Sequence, residues 1–122
     1  MTLRRLLLVM CGGMLGTAAR LGIAILVPDV GGMPLATLIV NVLGALLIGV
    51  LAARLTGSSD ARTFLGAGVL GGFTTYSAFA VGTAALDLLP AIAYAALTLA
   101  LGIVAAATGL RIGRSGERGR GR

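Results

Sequence analysis

The middle of the sequence carries a group of hydroxyl and aromatic side chains directly after two adjacent glycines, in the segment GGFTTYSAF from Gly71 to Phe79. Adjacent glycines weaken a helix. A half-helix that ends near Gly71 would point carbonyls at a cation, and one that starts between Thr74 and Ser77 would point N–H groups at an anion. Hydroxyl groups and aromatic edges can also face an anion. The segment therefore predicts an ion-binding or permeation site, unless the rings only pack and the hydroxyls bond back to their own helix.

The aromatic residues of this segment recur at every third position, as Phe73, Tyr76 and Phe79. This spacing predicts that the three rings lie within one side of a helix.

Two further polar side chains interrupt apolar runs elsewhere in the chain. Asn41 lies near the middle of the second run, where its amide could donate to an anion or form a hydrogen bond to another helix. Arg20 is the only charged residue within an apolar run. It could draw anions toward an entrance, or it could anchor the helix by extending to the membrane interface.

Composition and run length indicate the class of protein. Of 122 residues, 57% are hydrophobic and 11% are charged, which leaves too few charges for a solvated surface. Four apolar runs, at 6–27, 35–53, 64–86 and 91–110, approach the length of about 20 residues that a transmembrane helix needs. We expect an all-α membrane protein with one four-helix transmembrane domain over residues 1–110, its third helix broken mid-membrane, and a disordered basic tail over residues 111–122.

Several function classes are disfavoured by residue types. The chain has no His and one Cys, which argues against an enzyme or a redox metal centre. A small multidrug-type cation exporter needs a carboxylate inside the membrane, but all acidic residues fall in turns or the tail: Asp29, Asp60, Asp87 and Glu117. The net charge of +6 does not form a basic stripe interleaved with aromatics, so nucleic acid is not an expected partner.

The arginines are distributed on one side of the expected bundle. Apart from Arg20, all of them lie where the N-terminus, the middle loop and the tail meet: Arg4, Arg5, Arg54, Arg62, Arg111, Arg114, Arg118, Arg120 and Arg122. The two loops on the other side carry Asp29 and Asp87 and no basic residue. The positive-inside rule therefore predicts a multi-pass protein of the cell membrane with both termini in the cytoplasm.

The sequence resembles the CrcB/Fluc family of fluoride channels over nearly its whole length. The matching segments are GGMLGTAAR from Gly12 to Arg20, ATLIVNVLG from Ala36 to Gly44, and GGFTTYSAF from Gly71 to Phe79. The resemblance implies an antiparallel dimer with two narrow fluoride pathways and a central structural sodium ion bound by backbone carbonyls.

The resemblance also implies roles for individual residues. Gly71 and Thr74 would supply the sodium-binding carbonyls, and Asn41 would face the pore. Tyr76 and Phe79 would occupy the aromatic positions of the pathway, and two other hydroxyl residues would belong to its polar lining: Ser77 and, on the fourth span, Thr98. The sequence departs from the family pattern at two positions, where Tyr76 replaces the common Phe and Ala78 replaces an expected hydroxyl residue.

The leading hypothesis is therefore passive, selective export of fluoride, with Asn41, Thr75 and Ser77 among the donors that replace its water. The alternatives are a small multidrug-type cation exporter and a non-conducting subunit of a membrane assembly. Because a self-complementary antiparallel dimer requires one sequence to insert both ways, the one-sided arginines predict a different partner. We expect a homologous subunit of opposite topology.

Overall fold

The computed structural model describes residues 2–118, which are almost entirely helical. The helices are α1 (Leu3–Leu26), α2 (Leu35–Arg54), α3 (residues 60–73), α4 (Tyr76–Ala84) and α5 (Leu88–Arg118). Helices α3 and α4 together form the third of four segments that are long and apolar enough to cross a membrane. The prediction of four spans with a broken third helix is confirmed.

Close contacts between backbones hold the helices in two pairs, α1 with α3 and α2 with α5. A Cβ added at Gly12 would lie 2.9 Å from the Cα of Gly68, and one added at Gly72 would collide with the backbone of Gly13. In the second pair, a Cβ at Gly49 would collide with the carbonyl of Ala106. Small residues thus let the helices approach, which stabilises packing where lipid supplies no hydrophobic driving force.

Helix α3 is irregular along its length. Residues Asp60–Arg62 are α-helical, Thr63–Leu70 form a π-helix, and Gly71–Phe73 return to α-helix before the chain breaks. The predicted end of this half-helix near Gly71 lies two residues before the observed end at Phe73. Of the two glycines, Gly72 packs closely on α1, whereas a Cβ at Gly71 would meet only the Gly66 carbonyl of its own helix, at 3.7 Å.

Helix α5 is longer than the apolar run predicts. It begins at Leu88, with Pro90 in its first turn, and continues to Arg118. The predicted disorder is therefore wrong for residues 111–118, and residues 119–122 lie outside the described part of the chain. The extension has a physical cause: Gly113 packs on the Val50 backbone, and the Cβ position of Gly116 lies 3.0 Å from Arg54 Nη2.

Both ends of the described chain lie at one end of the bundle, with the α2–α3 loop. Arg4 forms an ion pair with Asp60, and Arg5 Nη2 donates a 2.7 Å hydrogen bond to Ser58 Oγ. We call this the arginine-rich end. At the opposite end, Gly31 and Gly32 adopt positive φ angles of 60° and 78° in the turn between α1 and α2, a conformation that glycine adopts at little cost.

Candidate ion pathway at the helix break

The break consists of two extended residues. Thr74 has φ −75° and ψ 157°, and Thr75 has φ −149° and ψ 122°. The N–H and the hydroxyl of Thr74 both donate to the carbonyl of Leu70, at 3.0 Å and 2.9 Å. Thr75 then caps α4, because its Oγ1 accepts a 3.2 Å hydrogen bond from the N–H of Ala78.

Asn41 on α2 pairs with the backbone of the broken segment. Its Nδ2 donates to the carbonyl of Thr75 at 2.9 Å, and its Oδ1 accepts from the Thr75 N–H, also at 2.9 Å. A single side chain thereby satisfies both backbone hydrogen-bonding groups of the extended residue Thr75. The second N–H of the Asn41 amide makes no hydrogen bond within residues 2–118, so it can donate to an ion.

These contacts free two carbonyl groups of the break. In a continuous helix, the Gly71 carbonyl would accept from the N–H of Thr75, and the Thr74 carbonyl from the N–H of Ala78. Both donors are instead bound by the side chains of Asn41 and Thr75. No hydrogen bond within residues 2–118 reaches the Thr74 carbonyl. Two backbone oxygens with lost donors are suitable ligands for a hard cation.

Arg20 lies at the break rather than at a distant surface. Its Nε donates to the carbonyl of Gly72 at 3.3 Å, and Thr17 Oγ1 donates to the same oxygen at 3.4 Å. The guanidinium therefore lies at the C-terminal, negative end of α3, where a positive charge is stabilised. Thr17 was not identified from the sequence, although it lies three residues before Arg20 and therefore on the same side of α1.

The aromatic residues do not share one face, so the prediction from their spacing is wrong for Phe73. The extended residues separate Phe73, which is 8% exposed, from Tyr76, which is 81% exposed. The Tyr76 and Phe79 rings lie 6.1 Å apart and are tilted by 44°. Phe79 stacks in turn on Tyr94 of α5, at 5.8 Å, and Tyr94 was missed because only the tertiary fold brings it there.

The remaining predicted hydroxyl residues occupy different surroundings. Ser77 is exposed, and its Oγ lies 3.2 Å from Thr75 Oγ1, so these two hydroxyls form one polar group beside Asn41. Thr98 is buried on α5, where its hydroxyl donates to the carbonyl of Tyr94 at 2.8 Å. Thr98 therefore lies one helical turn from Tyr94, whose ring stacks on Phe79.

A groove and a small cavity lie on either side of Thr75. The groove, of about 380 Å³, is lined by one face of α2 from Asn41 to Ile48 and by residues 74–76. The cavity, of about 90 Å³, lies between α1, α2 and α4 and is lined by Arg20, Thr37 and Ala78 among others. Thr75 lines both, so the broken segment borders the groove and the cavity.

Comparison with known proteins identifies the family. The family described as CrcB-like protein, Camphor Resistance (CrcB), matches residues 7–110, which include every residue placed at the break. The chain belongs to the CrcB family. Relatives of this CrcB chain include "Fluoride-specific ion channel FluC" of Novosphingobium aromaticivorans, 49% identical over 84% of this chain and 82% of that protein. A protein of the same name from Thermus thermophilus is 44% identical over 91% and 96%. "Fluoride-specific ion channel FluC 2" of Leifsonia xyli is 43% identical over 90% and 83%.

The CrcB assignment is consistent with the position of the predicted pathway residues, most of which lie close together at the break. Asn41, Thr75 and Ser77 are joined by hydrogen bonds, and Tyr76 and Phe79 follow on the same short helix. Thr98 makes none of these contacts, and its hydroxyl donates to the carbonyl of Tyr94 instead. At the position after Ser77, Ala78 contributes its backbone N–H to the Thr75 cap rather than a side-chain hydroxyl.

Proposed function

We propose that the chain forms a fluoride-specific channel that lowers cytoplasmic fluoride by passive export across the cell membrane. The observation that supports this most is the break in the third helix, where Asn41 pairs with Thr75 beside a group of small polar side chains. The relatives described above are named as fluoride-specific ion channels. Their names describe transport rather than catalysis, so we propose no enzymatic activity, and they support neither a multidrug-type exporter nor a non-conducting subunit.

The donors at the break are suited to a small dehydrated anion. Stripping water from such an ion costs tens of kcal/mol in an apolar medium, on the order of the Born estimate. The free N–H of Asn41 and the hydroxyls of Thr75 and Ser77 can replace part of that water. The ring edges of Tyr76 and Phe79 add partial positive charge without a formal cation, so the ion is stabilised but can still leave.

The carbonyls of Gly71 and Thr74 would hold a structural sodium ion. Both oxygens have lost their helical donors to side chains of the break. Within residues 2–118, no cluster of three or more His, Cys, Asp or Glu side chains could hold a metal, so backbone oxygens are the available ligands. The ion would supply fixed positive charge at the point where the third helix is interrupted.

The working unit would be an antiparallel dimer. Tyr76 is 81% exposed, Gly71 is exposed, and the groove beside Asn41 is open on one side. A second subunit would cover these groups and would complete the sodium site with its own carbonyls. The one-sided arginines favour a homologous partner of opposite topology, with both termini of this chain in the cytoplasm.

Fluoride efflux from liposomes tests the function directly. The chain is reconstituted alone and together with a homologous subunit, and fluoride release is recorded while a potassium ionophore balances charge. Release of fluoride without release of chloride is the expected result in at least one of the two preparations. Absence of fluoride release from both, or release of an organic cation instead, would overturn the proposal.

A further inference from the structure

A second groove leads toward the break from the arginine-rich end. It has a volume of about 500 Å³ and lies between α2 and α3. One wall is formed by Ile48, Leu51 and Ala52, and the other by Thr63, Gly66 and Ala67. The π-helical stretch and its small side chains keep α3 from filling the space.

This groove adjoins the one beside Asn41 at a shared lining residue. Ile48 lines both, and the lining residues of α2 recur every three or four positions from Asn41 to Ala52, which places them on one side of that helix. The eleven helical steps from Asn41 to Ala52 extend over about 16 Å. The same side of α2 therefore borders the groove at the break and the groove at the α2–α3 loop.

Arg62 stands at the mouth of the second groove in a fixed position. Its Nη1 donates to the carbonyls of Leu55 and Gly57, at 3.0 Å and 3.3 Å. A guanidinium has five N–H donors, and no hydrogen bond within residues 2–118 uses those of Nε and Nη2. The loop carbonyls therefore orient the side chain while most of its donors remain free for an anion.

The charges around the mouth leave it positive. Ser58 also lines the groove, and its hydroxyl is held by the guanidinium of Arg5 at 2.7 Å. Asp60, which begins α3 beside this loop, is paired with Arg4. Arg5 and Arg62 therefore remain as two guanidinium groups beside a groove whose walls are apolar, and a cleft of low polarity strengthens their field.

We propose that Arg62 and Ser58, supported by Arg5, form an anion-collecting mouth for the ion pathway at the arginine-rich end. This inference rests on the proposed channel function. The mouth raises the local concentration of fluoride and feeds it along the α2 face to Asn41. It acts on the capture of the ion and not on its passage through the break, so it limits flux only when fluoride is dilute and salt is low.

Substitution of Arg62 with a matched control tests this role. Arg62→Gln removes the charge, and Arg114→Gln makes the same change at the same end, on an exposed residue of α5 between Gly113 and Gly116, the glycines that face α2. At low ionic strength and low fluoride, we expect Arg62→Gln to slow efflux about threefold relative to Arg114→Gln. Arg62→Lys, which keeps the charge, should retain most of the rate.

The effect of salt and fluoride concentration on the efflux rate distinguishes a loss of ion capture from damage to the structure. In roughly 0.5 M inert salt, where the screening length is only a few ångströms, or at saturating fluoride, the Arg62→Gln and Arg114→Gln rates should converge. Equal rates at low salt would overturn the inference, and so would a loss in Arg62→Gln that persists at high salt and saturating fluoride. If the unaltered chain, with or without a homologous subunit, releases no fluoride, it is instead the proposed function that fails.

Discussion

The amide of Asn41 binds both backbone polar groups of Thr75, through two hydrogen bonds of 2.9 Å each. An extended residue at membrane depth needs such partners, since lipid offers none. By taking the Thr75 N–H, Asn41 also deprives the Gly71 carbonyl of its helical donor. One side chain therefore satisfies the extended backbone at Thr75, leaves the Gly71 carbonyl without its helical donor, and keeps one N–H that makes no hydrogen bond within residues 2–118.

Replacing Asn41 with Leu should impair both stability and transport. Interhelical hydrogen bonds in membranes contribute about 0.6 kcal/mol each on average, so the loss of two should destabilise the protein by about 1–2 kcal/mol. Because the break would also lose its alignment and one ion donor, we expect fluoride efflux to fall by about tenfold or more. Thermal unfolding in detergent and liposome efflux measure the two effects.

The control for this substitution is Thr108→Val. The Thr108 hydroxyl donates only to Val104 of its own helix and is exposed. Its removal should leave both measurements unchanged. If Asn41→Leu behaved like Thr108→Val, the pairing with Thr75 would have no functional weight.

Tyr76 differs from the Phe that is common in its family, and its hydroxyl makes no hydrogen bond within the described residues. Because the ring edge rather than the hydroxyl is expected to face the ion, Tyr76→Phe should keep fluoride efflux within about twofold. Tyr76→Ile removes the aromatic edge at similar bulk and should reduce efflux by about tenfold. A tenfold loss in Tyr76→Phe would instead make the hydroxyl a direct donor.

The four spans and the broken third helix could be predicted from the sequence because lipid leaves few alternatives. Every backbone group in a membrane must be satisfied, so run length and hydropathy determine the elements. The ends were less predictable, since they depend on contacts between helices. The composition around Gly113 and Gly116 predicts disorder, but these glycines allow α5 to pack on Val50 and Arg54.

Only those site residues that lie within a recognisable sequence motif could be predicted. Asn41 and Thr75 were identified, but whether Asn41 served an ion or a helix contact could not be decided from spacing. The fold shows that one of its N–H groups makes the helix contact. Thr17 and Tyr94 were missed because their roles depend on the Gly72 carbonyl and the Phe79 ring, which only the tertiary structure brings near.

The glycines differ in how closely neighbouring backbone approaches them, and alanine substitutions can measure how much each close approach contributes to stability. At Gly72 an added Cβ would collide with the Gly13 backbone, whereas at Gly102 it would meet nothing within 4 Å. We expect Gly72→Ala to lower the free energy of unfolding by about 1–3 kcal/mol through overpacking. Gly102→Ala should instead raise it by about 0.5–1 kcal/mol, because Ala favours helix. Thermal unfolding of the two variants should therefore shift in opposite directions.

Sodium should stabilise the folded assembly if the carbonyls of Gly71 and Thr74 hold it. A ligand that binds only the folded state raises stability with its concentration. We expect the melting temperature in detergent to rise when sodium replaces choline at constant ionic strength. Fluoride efflux should fall when sodium is absent on both sides of the membrane. Identical melting curves in the two salts would exclude a structural sodium ion.

The last prediction concerns orientation and follows from the one-sided arginines. The chain expressed alone should insert with both termini in the cytoplasm, and tags at the two ends, tested for access from outside the cell, would establish this. A variant with Asp29→Arg, Asp87→Arg, Arg111→Gln and Arg114→Gln has a smaller charge difference between its two sides and should place a larger fraction of molecules in the inverted orientation. If the working dimer is antiparallel, this variant alone should then release fluoride, whereas the unaltered chain should need a homologous partner. A mixed orientation of the unaltered chain would remove the reason for that partner, since the chain could then pair with itself.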